Sequence, residues 1–216
     1  LIVLTTCGSD GHLRALQCVG LHRTHNPLVR DADVLLHSTR TLSSEFRARF
    51  EIAFPSQTRR VVVAPPRRHN RHAQTIDVFL SALQPSQIRH YDWVVAMHAD
   101  VVVVNATRLS GLLANPRTWA VLANCNPGPR CTRACTHALV HSDFFAFRPR
   151  EVQFQNESHI AHAETYTTRI FRDTIARGHD AWIQARGFQD RSCRVRAGVR
   201  ARRPEVVHSR RDCVAL

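Results

Sequence analysis

The residues best placed to do chemistry lie in one run, Tyr91-Asp92-Trp93-Val94-Val95-Ala96-Met97-His98-Ala99-Asp100-Val101-Val102-Val103-Val104-Asn105. Trp93 to Met97 is short, apolar and rich in β-branched residues, the pattern of a buried strand. His98 and Asp100 fall where that strand ends. Open α/β sheets bind ligands outside the carboxyl ends of their strands. A carboxylate there, between apolar walls, suits a divalent cation; it suits equally the plain task of capping a turn. His98, two residues earlier, falls on the same side of an extended chain and offers a neutral nitrogen. An imidazole beside a carboxylate favours Mn²⁺ over Mg²⁺.

The pattern Tyr91-Asp92-Trp93-Val94-Val95-x-x-His98-Ala99-Asp100-Val101 resembles the strand and metal motif of GT-A glycosyltransferases, the nucleotide-diphospho-sugar transferase superfamily. The family motif is usually Asp-x-Asp; here His98 stands at its first acidic position and Asp100 at its second. The order of the other segments extends the resemblance over nearly the whole chain. It implies an α/β fold with a mostly parallel central sheet flanked by helices, in a Rossmann-like GT-A architecture. It implies a single domain over residues 1–216, with a nucleotide-sugar half near 1–105 and an acceptor half near 106–216. The implied reaction moves a sugar from a nucleotide-diphospho-sugar donor to a glycan, protein or small-molecule acceptor. Mn²⁺ or Mg²⁺ would neutralise the departing diphosphate.

The same resemblance assigns residues. Asp100 would touch donor and cation, with His98 and the late His208 as further metal ligands. Asp143, in His141-Ser142-Asp143-Phe144-Phe145-Ala146-Phe147-Arg148-Pro149, would line the acceptor side, and Asp143 or Glu164 would take the acceptor proton. Thr5, Thr6 and Gly8, at the first turn, are the candidate nucleotide contacts. Each has a plainer reading beside it. Asp143 can bond its own backbone, Glu164 can be a helix-start carboxylate, and a histidine after two valines is commonly a surface residue.

The elements that must position these residues follow from periodicity. Leu1 to Thr5 reads as a strand, and Thr6-Cys7-Gly8-Ser9-Asp10-Gly11 as a turn into a helix, with Ser9 or Asp10 as N-cap. That helix start offers N–H groups to a nucleotide; G-x-G-x-x-G and the P-loop pattern are both missing. Strands are expected at Asp33–His37 and Arg60–Ala64, a helix over Leu42–Phe50 and another over Ala73–Leu83. This alternation argues for parallel strands covered by helices. After the central run come a helix over Thr107–Ala114, a strand over Trp119–Ala123 and a strand from Phe144 to Phe147, with Asp143 at its start. An amphipathic helix within Asn156–Gly178 stops at Gly178. Short strands at Ala181–Ile183 and Ser192–Arg196, then Val206-Val207-His208, close the chain.

Composition narrows the function classes. The chain has 216 residues, a net charge of +13 and 30 basic residues, all of them Arg. Such charge invites a nucleic-acid reading. The arginines are mostly dispersed, however, and the 7 % of aromatic residues sit in core-like runs rather than between them as stacking platforms. No specific nucleic-acid partner is therefore expected. The exceptions, Arg67-Arg68-x-x-Arg71 and the C-terminal arginines, form either a solvated face or a basic rim for an anionic ligand. The 14 histidines contain no H-E-x-x-H.

Seven cysteines are present, with Cys125, Cys131 and Cys135 clustered in a Pro/Gly-rich loop. Their spacing is not that of a zinc knuckle and points to a local disulfide. Asn105-Ala106-Thr107 and Asn156-Glu157-Ser158 fit the glycosylation acceptor pattern. Together these favour the secretory pathway, with the Golgi lumen as the expected site. Leu1-Ile2-Val3-Leu4 already reads as a strand, which leaves room for a signal or membrane anchor outside these residues. Three functions follow: a metal-assisted glycosyltransferase, a non-catalytic glycan- or protein-binding domain of the same fold, and a basic nucleic-acid-binding module.

Overall fold

The structure, a computed structural model, describes residues 1–22, 30–55, 59–63, 83–103, 106–125, 139–152, 163–183, 185–186 and 206–208. In chain order it contains β1 (Ile2–Thr6), α1 (Asp10–His22), β2 (Val34–Ser38), α2 (Ser44–Ala53), β3 (Arg59–Val63), α3 (Pro85–Ile88), β4 (Val94–His98) and β5 (Val101–Val103). The second half adds α4 (Ala106–Ala114), β6 (Ala120–Cys125), β7 (Leu139–Phe147), α5 (Ala163–Ile170), α6 (Arg172–Ala176), β8 (Asp180–Ile183), β9 (Ala185–Arg186) and β10 (Val206–His208).

Seven strands form the main sheet in the order β3-β2-β1-β4-β7-β6-β8. Only β7 runs against its neighbours, β4 and β6; the other pairings are parallel. The expected mostly parallel α/β sheet is the one observed. A small second sheet, β5-β10-β9, was not foreseen. Its strands are two or three residues long, too short to leave a periodic signal.

Both faces of the main sheet are buried, which is why its strands read as continuous apolar runs. On one face Ile2, Leu4, Val34, Leu36, Val95 and Met97 pack with Leu16 of α1, Phe46 and Phe50 of α2, and Leu109 of α4. On the other, Val3, Leu35, Val94, Ala96, Phe145 and Phe147 pack with Ile88 of α3 and Ile170 of α5. Helix α2 shows how the sequence does this. Ser43 caps it by accepting the Phe46 N–H at 3.1 Å, and Phe46, Phe50 and Ala53 share its buried face. Each fully buried Phe contributes roughly 2–3 kcal/mol.

Strand boundaries shift by a residue or so from the expected ones. Two differences are larger. Strand β7 is nine residues long, so Asp143 lies inside it and not at its start. The helix expected up to Gly178 is broken at Phe171, whose φ of −92° and ψ of 3° start the separate α6. The Phe171 ring is fully buried against Phe145 and Phe147, at 5.5 and 6.0 Å between centroids, and this packing overrides helix continuity. Residues 73–82 of the helix expected up to Leu83, and the strand expected at 192–196, lie outside the described residues, as does the loop carrying Cys131 and Cys135; Leu83 itself is buried and not helical. Among the described residues, no helix is long and apolar enough to cross a membrane.

Candidate functional site

The carboxyl edge of the sheet carries a polar rung. In the strand register, His37 of β2 lies beside Thr5 of β1, and Thr5 beside His98 of β4. The last pair joining β4 to β7 is Met97 with Phe144, so one residue further His98 stands opposite Asp143. Lateral neighbours in a sheet share a face. These four residues therefore continue the face of Val3, Leu35, Ala96 and Phe145 to the point where the apolar core ends.

Strand β7 is distorted at this point. Its partner β6 pairs Leu122 with Phe145 and then Asn124 with Val140. Residues 141–144 of β7 thus face Ala123 alone on β6. This bulge exposes His141, Ser142 and Asp143 to functions other than the ladder, a common device beside active sites. Asp143 Oδ1 lies 3.5 Å from His98 Nδ1 and accepts the Ser142 hydroxyl at 3.3 Å. The Asp143 N–H donates to His141 Nδ1 at 3.1 Å. That nitrogen therefore points a lone pair at the Asp143 N–H, and it sits 3.7 Å from Asp143 Oδ2.

A second histidine–aspartate pair is built from the β1–α1 turn. Gly8 holds φ 70°, a conformation that side chains resist, and a Cβ there would lie 3.4 Å from Leu42. Ser9 caps α1, accepting the His12 N–H on its hydroxyl and the Leu13 N–H on its carbonyl. The first turn of α1 then carries His12 back over the strand end. The Gly8 N–H donates to Thr6 Oγ1 at 2.9 Å, and Thr6 Oγ1 is 2.8 Å from His12 Nδ1. The Cys7 N–H points at the same nitrogen, at 3.4 Å. These donors assign the His12 proton to Nε2, which faces Asp100 Oδ1 at 3.7 Å.

Cys7 Sγ lies 3.9 Å from His12 Nδ1. The hydrogen bond to His12 pulls the thiol down to about 7, against the upward push of partial burial. Proton transfer from Cys7 to His12 would leave a thiolate–imidazolium pair with Asp100 on its far side. In the rung, burial alone holds His37 down to about 4.

The fold brings together most of the expected site residues, though not as the linear spacing suggests. Ala99 and Asp100 form a turn between β4 and β5 and do not continue an extended strand. His98 and Asp100 therefore take different partners, Asp143 and His12. They still border one space, since the His12 and His98 rings are 6.4 Å apart. Thr5 and Thr6 are buried, and their hydroxyls serve the fold: Thr5 donates to the Met97 carbonyl at 3.4 Å. The β10 register sets His208 opposite Val101, next to Asp100. Glu164 lies in the first turn of α5, the helix that packs along β7. His12, Cys7 and His141 were not anticipated. Their only sequence signal is position, a turn or a strand step away from predicted strand ends.

Among the described residues, no three His, Cys, Asp or Glu side chains close around a common point as a metal site would. Two features fit a cation nevertheless. Asp100 is a buried carboxylate at the edge of the sheet. His98 Nε2 is buried and, among the described residues, has no hydrogen-bond partner. A nitrogen and an oxygen donor, completed by phosphate oxygens, make a set that suits Mn²⁺.

No family model and no curated protein sequence matches the chain. Its fold, in contrast, is widely shared. The galactosyltransferase LgtC, solved with donor and acceptor sugar analogues, superposes at a TM-score of 0.58 and 13 % identity, over 96 % of this chain and 86 % of that one. Glucosyl-3-phosphoglycerate synthase from Mycobacterium tuberculosis, solved with Mn²⁺, UDP-glucose and phosphoglyceric acid, superposes at 0.51 and 14 % identity, over 85 % and 68 %. The chain has the GT-A glycosyltransferase fold.

Proposed function

We propose that this protein is a glycosyltransferase that moves a sugar from a nucleotide-diphospho-sugar to a hydroxyl acceptor with the help of a divalent cation. The observation that carries the reading is Asp100: a buried carboxylate at the carboxyl end of the central strand of a GT-A fold, facing the first turn of α1. Residues 1–105 would form the donor half and 106–216 the acceptor half of one domain. Asp100, His98 and His208 would hold Mn²⁺ or Mg²⁺. That ion would stabilise the charge that builds on the diphosphate as the sugar bond breaks. Glu164, on the helix alongside β7, would take the acceptor proton. The compartment suggested by the sequons and cysteines, the secretory lumen, belongs to the same proposal.

The experiment is a screen of UDP- and GDP-sugars, each with and without Mn²⁺, read as thermal shift and as sugar-nucleotide hydrolysis. A ligand that binds only the native state must raise apparent stability. Mn²⁺-dependent stabilisation with turnover is expected. A second reading is a non-catalytic binding domain of the same fold. It is favoured by His98, which stands where the motif usually has its first acidic residue, and stabilisation without turnover would select it.

A further inference from the structure

Asp143 was expected to act directly on the acceptor, and its surroundings suit a different task. Its Oδ1 faces His98 Nδ1 at 3.5 Å. The other nearby imidazole, His141, accepts the Asp143 N–H on Nδ1 and so cannot donate from that nitrogen in its neutral form. His98 is therefore the ring that can give the carboxylate an N–H. If it does, the neutral ring keeps its lone pair on Nε2, the buried nitrogen that has no partner among the described residues. A carboxylate that holds one ring N–H while the other nitrogen faces a cation is a recurrent arrangement. The carboxylate fixes the tautomer and makes the ligating nitrogen more basic.

Resting on the glycosyltransferase reading, we infer that Asp143 is a positioning residue: it holds His98 as the Nδ1–H tautomer, so that Nε2 joins Asp100 in binding the divalent cation. The bulge in β7 supports this. Residues 141–144 are released from β6 while Phe144 keeps its pairing with Met97 of β4, so Asp143 stays opposite His98. The histidine at the first motif position thus works with a carboxylate drawn from the neighbouring strand.

The test uses the whole chain with Mn²⁺ and UDP or GDP as probes. Mn²⁺ affinity is read from the electron paramagnetic resonance of the free ion in wild type, Asp143→Asn, His98→Ala and the double variant. Thermal unfolding checks that each variant folds. Asp143→Asn is expected to weaken Mn²⁺ binding by about 10–100-fold. The double variant should be no worse than His98→Ala, since both changes remove one ligand. Nitrogen-15 NMR of the metal-free wild type should show the His98 proton on Nδ1, and Asp143→Asn should shift that signal. Wild-type affinity in Asp143→Asn, or a proton on Nε2 in the wild type, overturns the inference and leaves the functional reading standing. A wild type that binds neither nucleotide with Mn²⁺ overturns that reading too.

Discussion

The two histidine–aspartate pairs are made of the same residue types and differ in what surrounds the imidazole. His12 is set by a loop: Thr6 and Cys7 donate to its Nδ1 and turn its Nε2–H towards Asp100. His98 is set by a strand pairing, with Nδ1 towards Asp143 and Nε2 without a partner among the described residues. In the first pair the ring turns its Nε2 towards the carboxylate of the motif across 3.7 Å, longer than a hydrogen bond. In the second the carboxylate leaves a lone pair on the ring. His12 lies alongside Asp100 at 3.7 Å, and on the proposed reading His98 is the ring that binds beside it. Residue identity alone does not distinguish these roles; the donors around each ring do.

The contrast breaks most visibly at Asp100. Asp100→Ala should reduce Mn²⁺-dependent turnover by about 10³-fold, because a bound cation supplies several kcal/mol of charge stabilisation. Calorimetric titration of UDP or GDP with Mn²⁺ should show the matching loss of binding. His208→Ala should weaken binding less. Nucleotide affinity in Asp100→Ala equal to that of wild type would remove Asp100 from the metal site.

His37, in the same rung as His98, sets the acid limit within which the pairs can be compared. Burial lowers it from 6.5 to about 4. Between those values the unfolded chain binds more protons than the folded one, so stability rises with pH. Its contribution is complete above about 6.5 and is lost as pH falls towards 4, in total roughly 3 kcal/mol. Chemical denaturation from pH 4 to 7 should show this slope in wild type and a flatter one in His37→Leu. Parallel slopes would mean that His37 titrates alike in the folded and unfolded chain.

The smallest expected effect reports on the loop-held pair alone. Cys7 should be alkylated by iodoacetamide with a half-maximal rate near pH 7. In His12→Asn the midpoint should return towards the usual ~8.5, slowing the reaction at pH 7 by about 10-fold. An unchanged profile would show that His12 does not share a proton with Cys7.

Much of this arrangement was legible in the sequence. The apolar run before His98 marked a central strand ending in a turn, and the alternation of segments implied a mostly parallel sheet, as found. What stayed hidden depends on contacts between distant segments. Nothing in His141-Ser142-Asp143 announces a bulge, which exists only relative to Asn124 and Leu122 on β6. The pairing of His98 with Asp143 needs the register of two strands. The return of His12 over the strand end needs the left-handed Gly8 and the Ser9 cap together. Spacing placed His98 and Asp100 side by side on an extended chain, and the turn at 99–100 separated their partners.

The reversal of β7 has a consequence for how such a cleft can vary. The wall that carries His12 is a loop and a helix start, and loops accept insertions one residue at a time. The wall that carries Asp143 is an internal strand, where side chains alternate between faces. Shifting it by one residue would bring Ser142 or Phe144 to the position opposite His98 and turn the apolar set inside out. Beyond the bulge, where Phe144 to Phe147 pair with β4, that wall changes by substitution in place or in steps of two residues. One side of the cleft is free to drift in length, while the other is quantised by the pleat.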